Sequence, residues 1–138
     1  MEILYSADNQ FGFKKSLGCS YAIYAVRSII EYCTRYVSTI NLCAIDLSKA
    51  FDKVNLQALF IKLMNRNIPV ELLSVIEVLC SDCFTCVKWF DAWSMSNFGV
   101  RQGSVLAPYL FALYLDDLAK FCHPEQSCFV ILYADDIL

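Results

Sequence analysis

A short apolar run, Cys128-Phe129-Val130-Ile131-Leu132, leads into Tyr133-Ala134-Asp135-Asp136 almost at the end of the sequence. The run is short and rich in branched and aromatic side chains, which predicts a buried strand. Packing does not explain two adjacent carboxylates at its end, because charged side chains are seldom buried unless paired or bound to metal. A strand that delivers two carboxylates to one point can hold divalent cations through oxygen. A second run, Asn41-Leu42-Cys43-Ala44-Ile45-Asp46, has the same form and ends in one aspartate. If the two strands are neighbours in one antiparallel sheet, Asp46, Asp135 and Asp136 converge at one end of it. Two Mg²⁺ ions roughly 3.5–4 Å apart need such oxygen ligands, with substrate phosphates completing their octahedra. Aspartates at strand ends are also ordinary turn formers, so spacing alone leaves both readings open.

Composition bounds the class. A chain of 138 residues is one domain at most. Hydrophobic residues make up 58% and charged residues 18%, the latter below the roughly one-quarter of an ordinary domain. That balance fits a very buried domain, or part of a larger one whose apolar faces are covered. The longest apolar run, Val105 to Leu115, contains Pro108 and is shorter than the ~18 residues a membrane span needs. Met1-Glu2-Ile3-Leu4 lacks a basic region and a long apolar core, so no signal peptide is expected. The net charge of −3 counts against autonomous nucleic-acid binding. Eight cysteines without a secretory signal predict an intracellular protein, cytoplasmic or nuclear, with reduced and mostly buried thiols. The two CxxC steps across Cys80, Cys83 and Cys86 lack the further ligands that iron–sulfur or zinc sites require. The single histidine, His123, has no nucleophile beside it.

Along the chain, Gln10-Phe11-Gly12-Phe13-Lys14-Lys15 reads as a turn in a solvated loop whose lysines are able to meet phosphate. Ser16 or Ser20 is a candidate cap for a helix over about 20–36, carrying Ala22, Val26, Ile29, Ile30 and Cys33 at helical spacing. Asp52 is expected at a helix start, where its charge suits the dipole. Asn55 caps the next helix, with Leu56, Leu59, Phe60 and Leu63 on one face. Asn67-Ile68-Pro69 breaks it, and Leu72, Val75, Ile76 and Leu79 form the next stripe. Phe84–Phe90 and Ser94–Phe98 predict a hairpin around Asp91-Ala92-Trp93. Gly99-Val100-Arg101-Gln102-Gly103-Ser104 is a glycine-punctuated loop. It opens a helix bearing Leu106, Leu110, Leu113, Tyr114 and Leu118, with Pro108 tolerable near its start. Asp116-Asp117 diverge in direction near the end of that helix and read as a solvated face.

Three stretches in order carry a resemblance. They are Ala44-Ile45-Asp46-Leu47-Ser48-Lys49-Ala50-Phe51-Asp52, Gly99-Val100-Arg101-Gln102-Gly103-Ser104-Val105-Leu106-Ala107-Pro108 and Tyr133-Ala134-Asp135-Asp136. Together they resemble the palm motifs of a reverse transcriptase, an RNA-directed DNA polymerase, of the variety found in non-LTR, LINE-like retrotransposons. Gln10-Phe11-Gly12-Phe13 resembles a fingers-side motif that precedes them, so the likeness spans Gln10 to Leu138. It implies an α+β fold: a partial right-hand polymerase palm over 41–138, with an antiparallel sheet packed on helices, and a fingers-side segment over 1–40. It also implies metal carboxylates at Asp46, Asp135 and Asp136, two Mg²⁺ ions with Mn²⁺ as a substitute, and an aromatic steric gate at Phe51. By the same likeness Gln102 and Gly103 contact the incoming nucleotide, where glycine lets backbone approach closely. Arg101 is within reach of phosphate, and Tyr133 lies near the primer terminus. The partners implied are an RNA template, a DNA primer and a dNTP, with no membrane.

The family's basic triphosphate motif would lie upstream of Gln10, and Lys14 and Lys15 are the only local substitutes. The primer grip and thumb have no counterpart, and the strand returning from the Asp135-Asp136 turn has barely begun at Leu138. The sequence therefore predicts that the chain by itself is inactive and that its final apolar strand is exposed and aggregation-prone. The alternative is a non-catalytic retrotransposon remnant, or an interaction module that keeps only the palm core. In-frame flanks reaching a thumb and an endonuclease domain would favour the enzyme; flanking stop codons would favour the remnant. A third class is a template-independent nucleotidyltransferase or an RNA-templated RNA polymerase; Phe51 argues against ribonucleotide use.

Overall fold

A computed structural model describes residues 6–36, 39–81, 85–96, 99–101 and 103–138. Of the residues named above, Met1–Leu4, Cys83, Phe84, Phe98 and Gln102 lie outside that set. The spacing of Ala22 to Cys33 is realised as helix α1, Cys19–Tyr36, which buries Ala22 and Cys33. Neither Ser16 nor Ser20 caps it. Ser20 lies inside the first turn, and the Gly18 carbonyl takes the Tyr21 N–H at 3.0 Å. On the exposed side, Arg27 Nε donates to Glu31 at 2.7 Å, a helical i,i+4 pair.

The run 41–46 was expected to be a buried strand, but only Ile45–Asp46 forms a ladder, β1, and residues 41–46 are exposed. The run 128–132 behaves alike: it is exposed at Cys128, buried at Ile131 and Leu132, and forms strand β4 only over Leu132–Tyr133. The reason is pairing. Strand β5, Asp136–Ile137, lies between them, giving the antiparallel order β1-β5-β4. The return strand after the Asp135-Asp136 turn is thus the sheet's centre, not an exposed final strand. The ladder extends one step, with Ile131 and Leu138 exchanging backbone hydrogen bonds of 2.8 and 2.9 Å.

The chain folds as two compact units: Lys49–Tyr114 forms one, and 6–48 with Leu115–Leu138 forms the other. In the first unit, Asn55 caps helix α2, Leu56–Asn65, its side chain accepting from Ala58 N at 3.1 Å. Leu59 and Leu63 on α2 are fully buried. Asn67, at φ +54°, ends that stretch. Helix α3, Val70–Ser81, follows Pro69; of its stripe only Ile76 is buried, while Leu72, Val75 and Leu79 are exposed. Asp52 does not start a helix, since it lies in a turn three residues before Asn55.

Strands β2, Thr85–Trp89, and β3, Ala92–Ser96, pair in antiparallel register with Trp89 opposite Ala92. The turn is therefore Phe90-Asp91, one residue earlier than expected, and Phe90 takes the positive φ (+54°) of a tight hairpin loop. Helix α4, Ala107–Leu115, has Pro108 in its first turn, where the missing N–H costs nothing. It buries Ala107, the run Leu110 to Leu113 and Leu115, more than one narrow stripe, while Tyr109 stays exposed. A 3₁₀ segment, Asp116–Phe121, follows in the second unit and holds Leu118. Its two acidic residues differ. Asp117 pairs with exposed Lys120 at 2.5 Å, whereas half-buried Asp116 accepts from Ala7 N at 2.6 Å. Of the seven described cysteines only Cys33 is buried; Cys43, Cys86 and Cys128 lie on uncovered edge or connecting backbone.

Candidate active site

The carboxylates named from sequence lie in one unit and on one small sheet. Asp46 on β1 is the direct cross-strand partner of Asp136 on β5, and Tyr133 on β4 faces Asp136 from the other side. Direct partners in an antiparallel pair share a face, with Cβ atoms about 4.5–5.5 Å apart. Asp46, Asp136 and Tyr133 therefore form a row across three strands. The neighbouring row, Ile45, Ile137 and Leu132, belongs to the opposite face. Asp135 lies in the two-residue turn between β4 and β5, and its carbonyl accepts from Leu47 N at 3.3 Å. Asp46 and Asp136 are exposed, while Asp135 and Tyr133 are half-buried.

All three candidate ligands offer hard oxygen donors, the type Mg²⁺ prefers. Asp46 and Asp136 are like charges directly opposite one another, which is destabilising in a sheet, and a divalent cation between them would remove that cost, so the chemistry of this pair suits such an ion. Among the described residues no three His, Cys, Asp or Glu side chains are gathered around one point. The fold contributes backbone juxtaposition of the carboxylates. An open groove of about 730 Å³ runs beside them between α1 and the sheet, lined by Ile23, Val26 and Arg27 on one side and Asp46, Tyr133 and Asp136 on the other.

The Gln10–Lys15 segment is not the solvated loop expected. Gln10 and Gly12 are buried, and Gln10 forms a parallel bridge to Leu132. The lysines separate: Lys15 is exposed, while Lys14 Nζ donates to the Ala7 carbonyl at 2.5 Å. Burial lowers the Lys14 pKa from its ordinary value, against the opposing pull of Asp8 and Asp116.

In the other unit, the Phe51 ring stacks on Phe111 with centroids 4.7 Å apart and planes tilted by 34°. The Phe51 carbonyl accepts from Val100 N at 3.0 Å. Gly99 makes that approach possible, because a methyl group there would overlap the Phe51 carbonyl and lie 2.9 Å from that of Asp52. Arg101 and Gly103 are exposed on the loop that follows, and Gly103 has φ +88°, a conformation side chains rarely adopt. Gln102 is outside the described residues.

Residues 5–138 match the family model described as reverse transcriptase (RNA-dependent DNA polymerase). The chain belongs to the reverse transcriptase family. Members of that family are RNA-directed DNA polymerases, that is, nucleotidyltransferases. A probable RNA-directed DNA polymerase from transposon BS of Drosophila melanogaster is 28% identical over 144 residues, covering 94% of this chain and 15% of that protein. The retrovirus-related Pol polyprotein from type-2 retrotransposable element R2DM of the same species is 26% identical over 140 residues, 94% of this chain and 13% of its own length. The RNA-directed DNA polymerase from mobile element jockey of Drosophila funebris is 28% identical over 141 residues, covering 93% and 15%. These relatives bear out the likeness to the LINE-like, non-LTR variety. The chain spans less than a sixth of their length. Its α+β architecture, with a small antiparallel sheet among helices, agrees with a partial reverse transcriptase palm. Among the described residues no helix is long and apolar enough to cross a membrane.

Three contacts near these motifs, each within its own unit, were not legible in the sequence: Gly12 against the Ala134 backbone, Gly99 against the Phe51 carbonyl, and Asp116 on the Ala7 N–H. For the two glycines the only signal was their place inside the family motifs. Asp116 carried none, because its partner is the Ala7 backbone N–H, 109 residues away.

Proposed function

We propose that the chain contributes the metal-binding carboxylates and the nucleotide-side loop of an RNA-templated DNA polymerase of a mobile element, with 1–40 on the fingers side and 41–138 in the palm. The reaction joins a primer 3′-hydroxyl to the α-phosphate of a dNTP and releases pyrophosphate. The observation that carries this reading is the register that sets Asp46 opposite Asp136 while Asp135 is tied through its carbonyl to Leu47, the residue after Asp46.

In this reading Asp46 and Asp135 are the principal ligands of two divalent cations, and Asp136 supports them. When bound, such cations lower the pKa of the attacking hydroxyl and neutralise charge on the phosphates. Tyr133, in the same row as Asp46 and Asp136, borders the primer end. Gln102, Gly103 and Arg101 face the incoming nucleotide and its phosphates. The Phe51 ring, steadied by Phe111, fills the space of a ribose 2′-hydroxyl and so selects deoxynucleotides.

The test is a Mn²⁺ titration of the chain followed by NMR. Saturable broadening at Asp46, Asp135 and Asp136, abolished by Asp135→Ala, is the expected result. Absence of saturable broadening at millimolar Mn²⁺ would remove the metal assignment. Primer extension on an RNA template by the complete reading frame, lost in Asp135→Ala, tests the reaction itself.

A further inference from the structure

Gly12 is buried and its φ lies outside the left-handed region, so its backbone conformation does not call for glycine. Proximity does. A methyl group at Gly12 would overlap the Ala134 nitrogen and lie 3.1 Å from both the Ala134 Cα and the Tyr133 carbonyl carbon. The glycine backbone is thus pressed against the turn that carries Asp135 and Asp136.

That turn is strained. Ala134 sits at φ +56°, which a residue with a Cβ avoids and which persists only where the surroundings over-determine it. The surroundings here are a strap. Phe11 N donates to Leu132 O at 2.8 Å, Leu132 N donates to Asn9 O at 2.9 Å, and Asn9 Nδ2 donates to Val130 O at 2.9 Å. Asp116 and Lys14 grip the two ends of the Ala7 backbone, at 2.6 and 2.5 Å. Gln10, fully buried, accepts the Gly12 N–H on its Oε1 at 3.0 Å, while its Nε2 has no partner. A buried, half-satisfied amide is unfavourable for packing alone; what it supplies is a fixed place for Gly12. On the turn's other side, the Asp135 carbonyl holds Leu47 N, beside Asp46.

We propose that Gly12, held by Gln10, is a positioning residue that sets the height of the Ala134-Asp135 turn and thereby keeps Asp135 and Asp136 in register with Asp46. The proposal rests on the reading of those three aspartates as the metal carboxylates. Any side chain at position 12 lifts the turn and breaks the Leu47 to Asp135 bond before it disturbs the rest of the unit.

Amide hydrogen exchange on the 138-residue chain, resolved by NMR, tests it. In Gly12→Ala the Leu47 amide is expected to exchange about tenfold faster, with Cys33 in α1 unchanged. The double variant Gly12→Ala with Ala134→Gly is expected to return Leu47 to within about threefold of the parent, because glycine lets the strained turn shift. Gln10→Met removes both the acceptor for Gly12 and the unpartnered Nε2, so Leu47 exchange rises while the urea midpoint does not fall. Unchanged Leu47 exchange in Gly12→Ala overturns the proposal, as does equal acceleration at Leu47, Leu132 and Cys33. If Gly12→Ala does not fold, Gln10→Met decides by the same readouts. Mn²⁺ broadening in the parent separates the two ideas: its absence sinks the metal reading, whereas Leu47 exchange alone decides the role of Gly12.

Discussion

Ala134 carries a methyl group through a turn conformation that suits glycine. The left-handed region costs a residue with a Cβ about 1–2 kcal/mol, and glycine returns roughly 0.4–1 kcal/mol of that through a freer unfolded chain. Ala134→Gly is therefore expected to stabilise the chain by about 0.5–1 kcal/mol, read as a higher urea midpoint. A lower midpoint would show that the methyl group has packing value that outweighs the strain. Gly99 makes the opposite case. Gly99→Ala forces a Cβ into the Phe51 and Asp52 carbonyls and should destabilise by about 1–3 kcal/mol, measured by denaturant unfolding. Loss of less than a few tenths would mean that the two backbones separate freely. Phe51→Val, tested in the complete reading frame, should relax sugar discrimination in RNA-templated synthesis; an unchanged dNTP to rNTP preference removes Phe51 as the gate.

Among the elements, α2 shows local and tertiary signals in agreement. Its cap, its buried pair Leu59 and Leu63 and its end at Asn65 all coincide with the sequence pattern. Asn55→Ala should cost about 1 kcal/mol by removing the acceptor for Ala58 N, a loss that a calorimetric or urea transition resolves. No change would mean that water replaces the cap. Elsewhere the pattern was legible in kind but not in extent. Both apolar runs ending in aspartate do join one sheet, yet each contributes only two ladder residues. The runs indicated which segments pair. The strand returning from the Asp135-Asp136 turn was expected, but its place at the centre of the sheet was not, because two residues, Asp136 and Ile137, carry too little pattern to show which strands flank them. The Phe90-Asp91 turn was missed by one residue for a similar reason: φ > 0 at a phenylalanine has no sequence signature.

At the scale of the molecule, apolar surface stands out. Tyr24, Val70, Phe90, Trp93 and Val105 are each more than 60% exposed, in a chain whose charged share is only 18%. Exposed apolar surface on this scale drives association. Light scattering should show an apparent mass that rises with concentration, and a monodisperse monomer across the range would contradict this. The net charge of −3 counts against strong, autonomous nucleic-acid binding by the chain.

By itself the sequence determined the family, the α+β class and which segments carry the helices, and it named three candidate carboxylates. Each of these rests on residue type and on order along the chain, which motifs and periodicity record directly. Only the tertiary structure decided that Asp46 faces Asp136 across β5, that Gln10 and Gly12 lie buried beneath the carboxylate turn, and that Gly99 lets the chain close on Phe51. Those are contacts between backbones far apart in sequence. A missing Cβ or an accepting carbonyl looks the same in the sequence whether or not another strand comes to meet it.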